Sequence, residues 1–119
     1  MNGRIVLSLS AIIMSQLVPT HVTPALAQQS GGASVYSTES GGKTASGQKL
    51  DPGALTAAHP TLPFGTKVHV TNNKNGRSVI VTINDRGPFV RGRVIDVTPA
   101  GARALGFSGT TQVTLRVGE

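Results

Sequence analysis

Two alternating stretches flank an Asn75-Gly76 pair, and this arrangement constrains the fold more than any other feature of the chain. Lys67-Val68-His69-Val70-Thr71-Asn72 alternates polar and apolar, so Val68 and Val70 share one face of a strand and His69 takes the opposite, solvent-facing one. Asn-Gly is the strongest short hairpin signal, because both residues tolerate the positive φ angles that a tight turn needs. The return strand runs from Arg77 to Ile83 and is rich in β-branched residues. The pair predicts an antiparallel hairpin and, with it, a mainly β fold.

The rest of the chain reads as short strands separated by turn chemistry. Residues 28–32 read as a flexible leader and 33–36 as a short first strand. Residues 37–53, rich in Ser, Gly, Thr and Lys, lack a helical period and form a long ordered loop, of a length that is often functional. Residues 54–59 are small and apolar, suiting a short strand or one helical turn. Residues 61–66 are a turn punctuated by Pro63 and Gly65. Residues 94–97 make a further strand. Thr98-Pro99 then supplies an N-cap and a proline at the first helical position, starting a short helix over 100–105 that stops at Gly106. Residues 111–117 alternate again as the closing strand. Six short strands and one short helix suit a small closed barrel, since closure removes exposed edges.

Residues 1–27 read as a secretory signal peptide. Arg4 gives a positive start, residues 5–18 are mostly apolar, and Ala25-Leu26-Ala27 is a small-x-small site ahead of Gln28. The alternative is a membrane anchor, but the apolar run, broken by Ser8, Ser10, Ser15 and Gln16, is shorter than the ~20 residues needed to span a bilayer. One domain, residues 33–119, follows the leader. The chain has no cysteine, so an exported domain must be held together by hydrogen-bonded β structure, without disulfides. No Cys is available for lipidation either. The expectation is a soluble periplasmic or secreted protein, with no integral membrane segment after cleavage. The formal net charge is +6, falling by one when Arg4 is removed. Export and a total of four aromatic residues argue against nucleic acid as a partner. Acidic envelope polymers and ordinary solubility account for the charge equally well.

Chemistry concentrates after the return strand, at Asn84-Asp85-Arg86-Gly87-Pro88-Phe89. A rigid strand delivers an acid and a base to a Gly-Pro corner that leaves the ladder. Of five acidic residues, Asp85 is the best placed for chemistry. The structural alternatives are a cap on the corner or an ion pair with Arg86. Burial raises a carboxyl pKa and an adjacent guanidinium lowers it, so an acid at this position requires Arg86 to point away or some further tuning. Gly87 and Gly92 suit positive φ or close backbone approach. Phe89 is expected to plug the core. No His/Cys/Asp cluster has metal-ligand spacing, and neither metal nor cofactor is expected.

Six motifs occur in order: Thr44-Ala45-Ser46-Gly47, Leu55-Thr56-Ala57-Ala58-His59, Thr61-Leu62-Pro63-Phe64-Gly65-Thr66, Asn75-Gly76-Arg77-Ser78, Ile83 through Phe89, and Gly92-Arg93-Val94-Ile95-Asp96. Together, over residues 33 to about 117, they resemble the double-psi β-barrel domain of the rare lipoprotein A family, the septal-ring lytic transglycosylases. The resemblance implies a six-stranded double-psi β-barrel. The same barrel is similar to those of expansins, barwin-like proteins and some cellulases, so fold alone does not fix activity. The implied chemistry is cleavage of the β-1,4 bond between N-acetylmuramic acid and N-acetylglucosamine in peptidoglycan glycan strands. The muramyl 6-hydroxyl closes on the anomeric carbon and leaves a 1,6-anhydro end. One carboxyl can protonate the leaving oxygen and then deprotonate the hydroxyl, whereas ordinary glycosidases need two at a defined separation.

The resemblance assigns roles residue by residue. Asp85 matches the catalytic acid/base. His59 falls on a second functional position, to orient Asp85 or bind a sugar, the alternative being a packed loop histidine. Gln48 stands where the family usually carries a Glu. It keeps shape and hydrogen bonding but cannot titrate, and would bind an N-acetyl or hydroxyl group. Tyr36 follows Val35, where an aromatic residue often sits, and is left to stack on a sugar face. Thr44 is a candidate substrate contact. Asp96 either acts on substrate or supports the fold. Arg86, Arg91 and Arg93 flank the corner and either bind muramyl carboxylates or form a solvated basic face. The expected protein is a monomer. Two further readings remain open: a non-catalytic, expansin-like wall-binding or wall-loosening module, and an envelope interaction protein that keeps the barrel as scaffold.

Overall fold

The hairpin forms as read. Strands β3 (Lys67–Asn72) and β4 (Ser78–Asp85) pair antiparallel with Thr71 opposite Ser78 and Lys67 opposite Thr82. Val68, Val70, Val81 and Ile83 turn inward and are fully buried. His69 faces outward and is half-buried rather than fully exposed. The computed structural model describes residues 28–36 and 42–118. The expected signal peptide, and the start of the loop after Tyr36, lie outside the described residues.

Four more strands complete the barrel: β1 (Gln28–Val35), β2 (Thr56–Ala58), β5 (Arg93–Val97) and β6 (Thr110–Val117). They close in the order β1-β5-β2-β4-β3-β6. Strand β2 is parallel to β4, with Ala58 opposite Asp85, while β3 is antiparallel to it. The connection over residues 59–66 therefore crosses the C-terminal end of β4. Likewise β5 is parallel and β6 antiparallel to β1, with Val35 opposite Val97 and Ser34 opposite Thr110, so the β5–β6 connection crosses the end of β1. Two such crossings are the double-psi arrangement that the sequence motifs led us to expect. The core is aliphatic, with Ile95, Val97, Val113 and Leu115 joining the hairpin valines and Ile83.

Residues 28–32 are strand, not a flexible leader. Gly31 and Gly32 lack the side chains that would collide with Val94 and the Gly92 carbonyl: a Cβ on Gly31 would lie 2.5 Å from Val94 Cγ1. Their bareness lets β1 lie against β5, and Gly32 N–H donates to the Gly92 carbonyl at 2.8 Å. Composition suggests mobility here, but ladder bonds to β5 and β6 decide the conformation.

The helix α1 (Pro99–Leu105) follows β5 and buries Leu105. Its cap is double-duty. Thr98 Oγ1 accepts from Gly101 N–H at 3.2 Å and donates to the Ala54 carbonyl at 2.6 Å. Gly106 ends the helix at φ 75°, a left-handed conformation. Thr98→Ala is expected to cost about 1–2 kcal/mol, read as a lower urea midpoint, because it removes both bonds at a buried site. An unchanged midpoint would mean the cap contributes nothing.

Candidate active site at the end of strand β4

Asp85 ends β4 where the 59–66 connection crosses it, and its carboxylate is held from three directions. Oδ1 accepts the Ala45 N–H at 2.7 Å and its neighbour Arg86 N–H at 2.9 Å. Oδ2 accepts the Tyr36 hydroxyl at 2.9 Å. The Gly87-Pro88 corner then leads the chain away through a cis peptide, with Gly87 at φ 117° and Gly92 at φ 84°. The half-buried carboxylate is thus pinned by loop, corner and strand end together.

Asp96 comes to the same place from the other side of β2. Ala58 is opposite Asp85 on β4 and opposite Asp96 on β5. Asp96 accepts a hydrogen bond from the Ser34 hydroxyl on β1. Tyr36 lies between the two acids. Burial pushes its phenol far above the ordinary tyrosine range, and the Asp85 hydrogen bond and both carboxylate charges push it further. Tyr36 therefore stays a neutral hydroxyl. Its hydroxyl is a partner of Asp85, a contact the sequence did not suggest.

His59 is packed rather than poised, with 4% of its surface exposed. Its Nδ1 accepts the N–H groups of Thr61 and Leu62, each at 3.1 Å. That fixes the tautomer, so Nε2–H donates to Gln29 Oε1 at 2.9 Å. Neither ring nitrogen bonds Asp85. The His59 backbone joins the two, its N–H donating to the Asp85 carbonyl at 3.1 Å. Both ring nitrogens are committed to folding the 59–66 connection.

Burial, and secondarily the Arg86 charge, hold the His59 pKa below the ordinary value near 6.5. Below that value the unfolded chain takes up a proton that the native ring resists, so stability falls as pH falls through this window. Acidification from about pH 7 to about pH 5.5 should lower the urea midpoint. His59→Asn, which keeps an acceptor for the two N–H groups, should flatten this dependence. An equal slope in the variant would assign the acid sensitivity to other groups.

Arg86 points away from Asp85. Its Nη1 donates to the carbonyls of His59 at 3.1 Å and Leu62 at 2.7 Å, and its guanidinium lies 4.2 Å from the Phe64 ring centroid. It clamps the crossing connection, which corrects its assignment as a carboxylate-binding residue. Arg91 is exposed on the following loop, free to meet ligand. Phe89 overturns its expected role as a core plug: it is 79% exposed, because the corner turns it outward while aliphatic side chains fill the barrel.

Gln48 and Thr44 belong to the loop over β4. Thr44 is buried, and its hydroxyl is bonded to the Gln48 carbonyl and the Ser46 hydroxyl, so it shapes the loop. Gln48 is exposed, and its Oε1 accepts from Asn84 Nδ2 at 3.1 Å. With Ser46, Phe64, Gly65, Thr82 and Asn84 it lines an open groove of about 280 Å³ beside the Asp85 end of β4. Sequence reasoning missed Ala45, Gln29, Ser34 and Asn84 as supports. Gln29 and Ser34 lie outside the motifs, whereas Ala45 and Asn84 lie within them but were given no role, the Ala45 contribution being a backbone N–H. No helix among the described residues is long and apolar enough to cross a membrane.

A profile of the family described as lytic transglycolase matches residues 28–117. A probable endolytic peptidoglycan transglycosylase RlpA from Nostoc sp. is 57% identical over 77 residues, covering 65% of this chain and 21% of that protein. The endolytic peptidoglycan transglycosylase RlpA of Yersinia pestis is 52% identical over 88 residues, covering 73% and 24%. The Escherichia coli K12 protein of that name is 46% identical over 93 residues, covering 77% and 26%. The chain thus spans about a quarter of the length of these relatives. Among solved structures, the Streptomyces papain inhibitor superposes with TM-score 0.60 at 24% identity, covering 77% of this chain and 94% of that one. An expansin from Clavibacter michiganensis gives 0.62 at 20% identity, covering 77% and 50%. Proteins of such different description share the barrel, so these two likenesses speak to the fold alone.

Proposed function

Because this chain belongs to the rare lipoprotein A family of lytic transglycosylases, whose profile spans nearly all the described residues, we propose that it cleaves peptidoglycan glycan strands. The bond cut is the β-1,4 link from N-acetylmuramic acid to N-acetylglucosamine, and the product carries a 1,6-anhydro-muramyl end. The relatives named for this activity, at 46–57% identity over the domain, support the reading.

Asp85 is the acid/base. As the C1–O4 bond breaks, its proton passes to the leaving O4. As the C1–O6 bond forms, it takes the proton of the muramyl 6-hydroxyl, so the carboxyl ends as it began. The observation that carries this role is the asymmetry of its hydrogen bonding. Oδ1 already accepts two backbone N–H groups, so the shuttled proton resides on Oδ2, beside a Tyr36 hydroxyl that donates to the carboxylate and accepts from the acid. Asp96, across β2, supplies negative charge where the sugar gains positive charge. His59 and Arg86 act as positioning residues, holding the crossing connection against the end of β4. Gln48 binds sugar polar groups from the groove.

The protein acts outside the cytoplasm, as a soluble monomer. The apolar N-terminal stretch with its Ala25-Leu26-Ala27 site, the lack of any cysteine, and a barrel closed without free edges support this. Digestion of purified sacculi, with and without amidase pretreatment, tests the activity by mass spectrometry of soluble products. Anhydro-muramyl ends are the expected result. Intact strands that still bind the protein would favour the wall-binding module, for which the non-titrating Gln48 is the specific argument.

A further inference from the structure

The barrel core is built from Val, Ile, Leu and Ala, and of three phenylalanines only Phe107 packs against it. Phe89 is 79% exposed, with Val90 beside it also exposed. Burying a phenyl ring is among the largest apolar gains open to so small a domain. Here the ring is instead presented to solvent, four positions beyond Asp85.

The loop that presents the ring is tied down at its base. The Phe89 ring leans on the corner, with Cε2 3.7 Å and Cδ2 3.9 Å from where a Gly87 side chain would begin. The loop is closed behind it by Arg93 N–H to the Val90 carbonyl at 3.0 Å, and tied to β1 by Gly32 N–H to the Gly92 carbonyl at 2.8 Å. Arg91, the next residue of the same loop, is exposed as well. An exposed aromatic ring followed two positions later by an exposed arginine suits a pyranose ring that carries a carboxylate. The ring's C–H face covers the phenyl, its hydroxyls stay in water, and its acid meets the guanidinium.

We propose that Phe89, Val90 and Arg91 form a binding subsite for a carboxylate-bearing sugar ring of the glycan, continuous with the cleavage site at Asp85. The inference rests on the peptidoglycan reading and deepens it. It gives the corner after β4 two tasks, ending the strand at the acid and holding the polymer beside it.

The test separates binding from turnover. In an Asp85→Asn background, cosedimentation with amidase-stripped sacculus glycan measures affinity. Phe89→Ala is expected to weaken binding about tenfold with the thermal midpoint unchanged, since the ring is in solvent, and Phe89→Tyr to restore it. Arg91→Gln should weaken binding and make it less salt-sensitive. Equal binding by Phe89→Ala and its parent would overturn the subsite. So would a loss of self-association in Phe89→Ala on size-exclusion, which would assign the ring to a contact between copies. If wild type releases anhydro ends while Phe89→Ala binds as well as its parent, the subsite falls and the activity stands. If wild type releases none yet binding depends on Phe89, the activity falls and the subsite stands.

Discussion

Asp85→Asn is expected to lower the release of anhydro-muramyl ends by about 100- to 10,000-fold, the range that general acid–base catalysis contributes. The substitution is nearly silent for the fold. The amide oxygen still accepts the N–H groups of Ala45 and Arg86, and the new NH2 faces a Tyr36 hydroxyl that can turn to accept it. Stability and sacculus binding should therefore match wild type while turnover is lost. That pattern separates a chemical role from a structural one, because the amide keeps the bonds that cap the corner and hold the loop but has no carboxyl proton to transfer. Undiminished turnover in the Asn variant would move the acid/base elsewhere, with Asp96 the next residue to test.

The largest effect on stability is expected from Asn72→Ala. Asn72 is 1% exposed at the end of β3, and its side chain ties three elements. Nδ2 donates to the Leu105 carbonyl at the end of α1 at 2.9 Å, and Oδ1 accepts from Lys74 N–H and from the Thr111 hydroxyl of β6, both at 3.0 Å. Truncation leaves the buried Thr111 hydroxyl without its acceptor and opens a small cavity. The Leu105 carbonyl keeps a second donor, Asn75 Nδ2 at 3.0 Å, so part of the loss is softened. The net cost is about 2–4 kcal/mol, which in a domain of this size lowers the thermal midpoint by on the order of 15 °C. A urea titration checks it through a lower midpoint at unchanged slope. A shift below about 0.5 kcal/mol, the scale of an ordinary surface substitution, would show that water replaces the lost partners.

The parts of this fold legible in the sequence are those governed by local chemistry. The β3–β4 hairpin follows from alternation and Asn75-Gly76, and the helix start and stop follow from Thr98-Pro99 and Gly106. Asp85 is legible as a site because a β-branched strand running into Gly-Pro leaves few other places for an acid to be held. Residues 28–32 were misleading for the opposite reason. A glycine pair reads as slack until a neighbouring strand needs close approach, and β5 is more than sixty positions away in the chain.

The candidate site divides along the same line. The sequence by itself determined which acid stands at the strand end, that a hairpin and a capped helix frame it, and that the chain resembles glycan-cleaving barrels. Only the tertiary structure decided the orientation of each side chain around that acid. It turned Arg86 onto the His59 and Leu62 carbonyls, committed both His59 nitrogens to loop amides and Gln29, brought Tyr36 to Asp85, and left Phe89 in solvent. Residue type and spacing specify what a side chain can bond. Which partner it meets is set by two chain crossings that join segments far apart in sequence, and no local pattern encodes those distances.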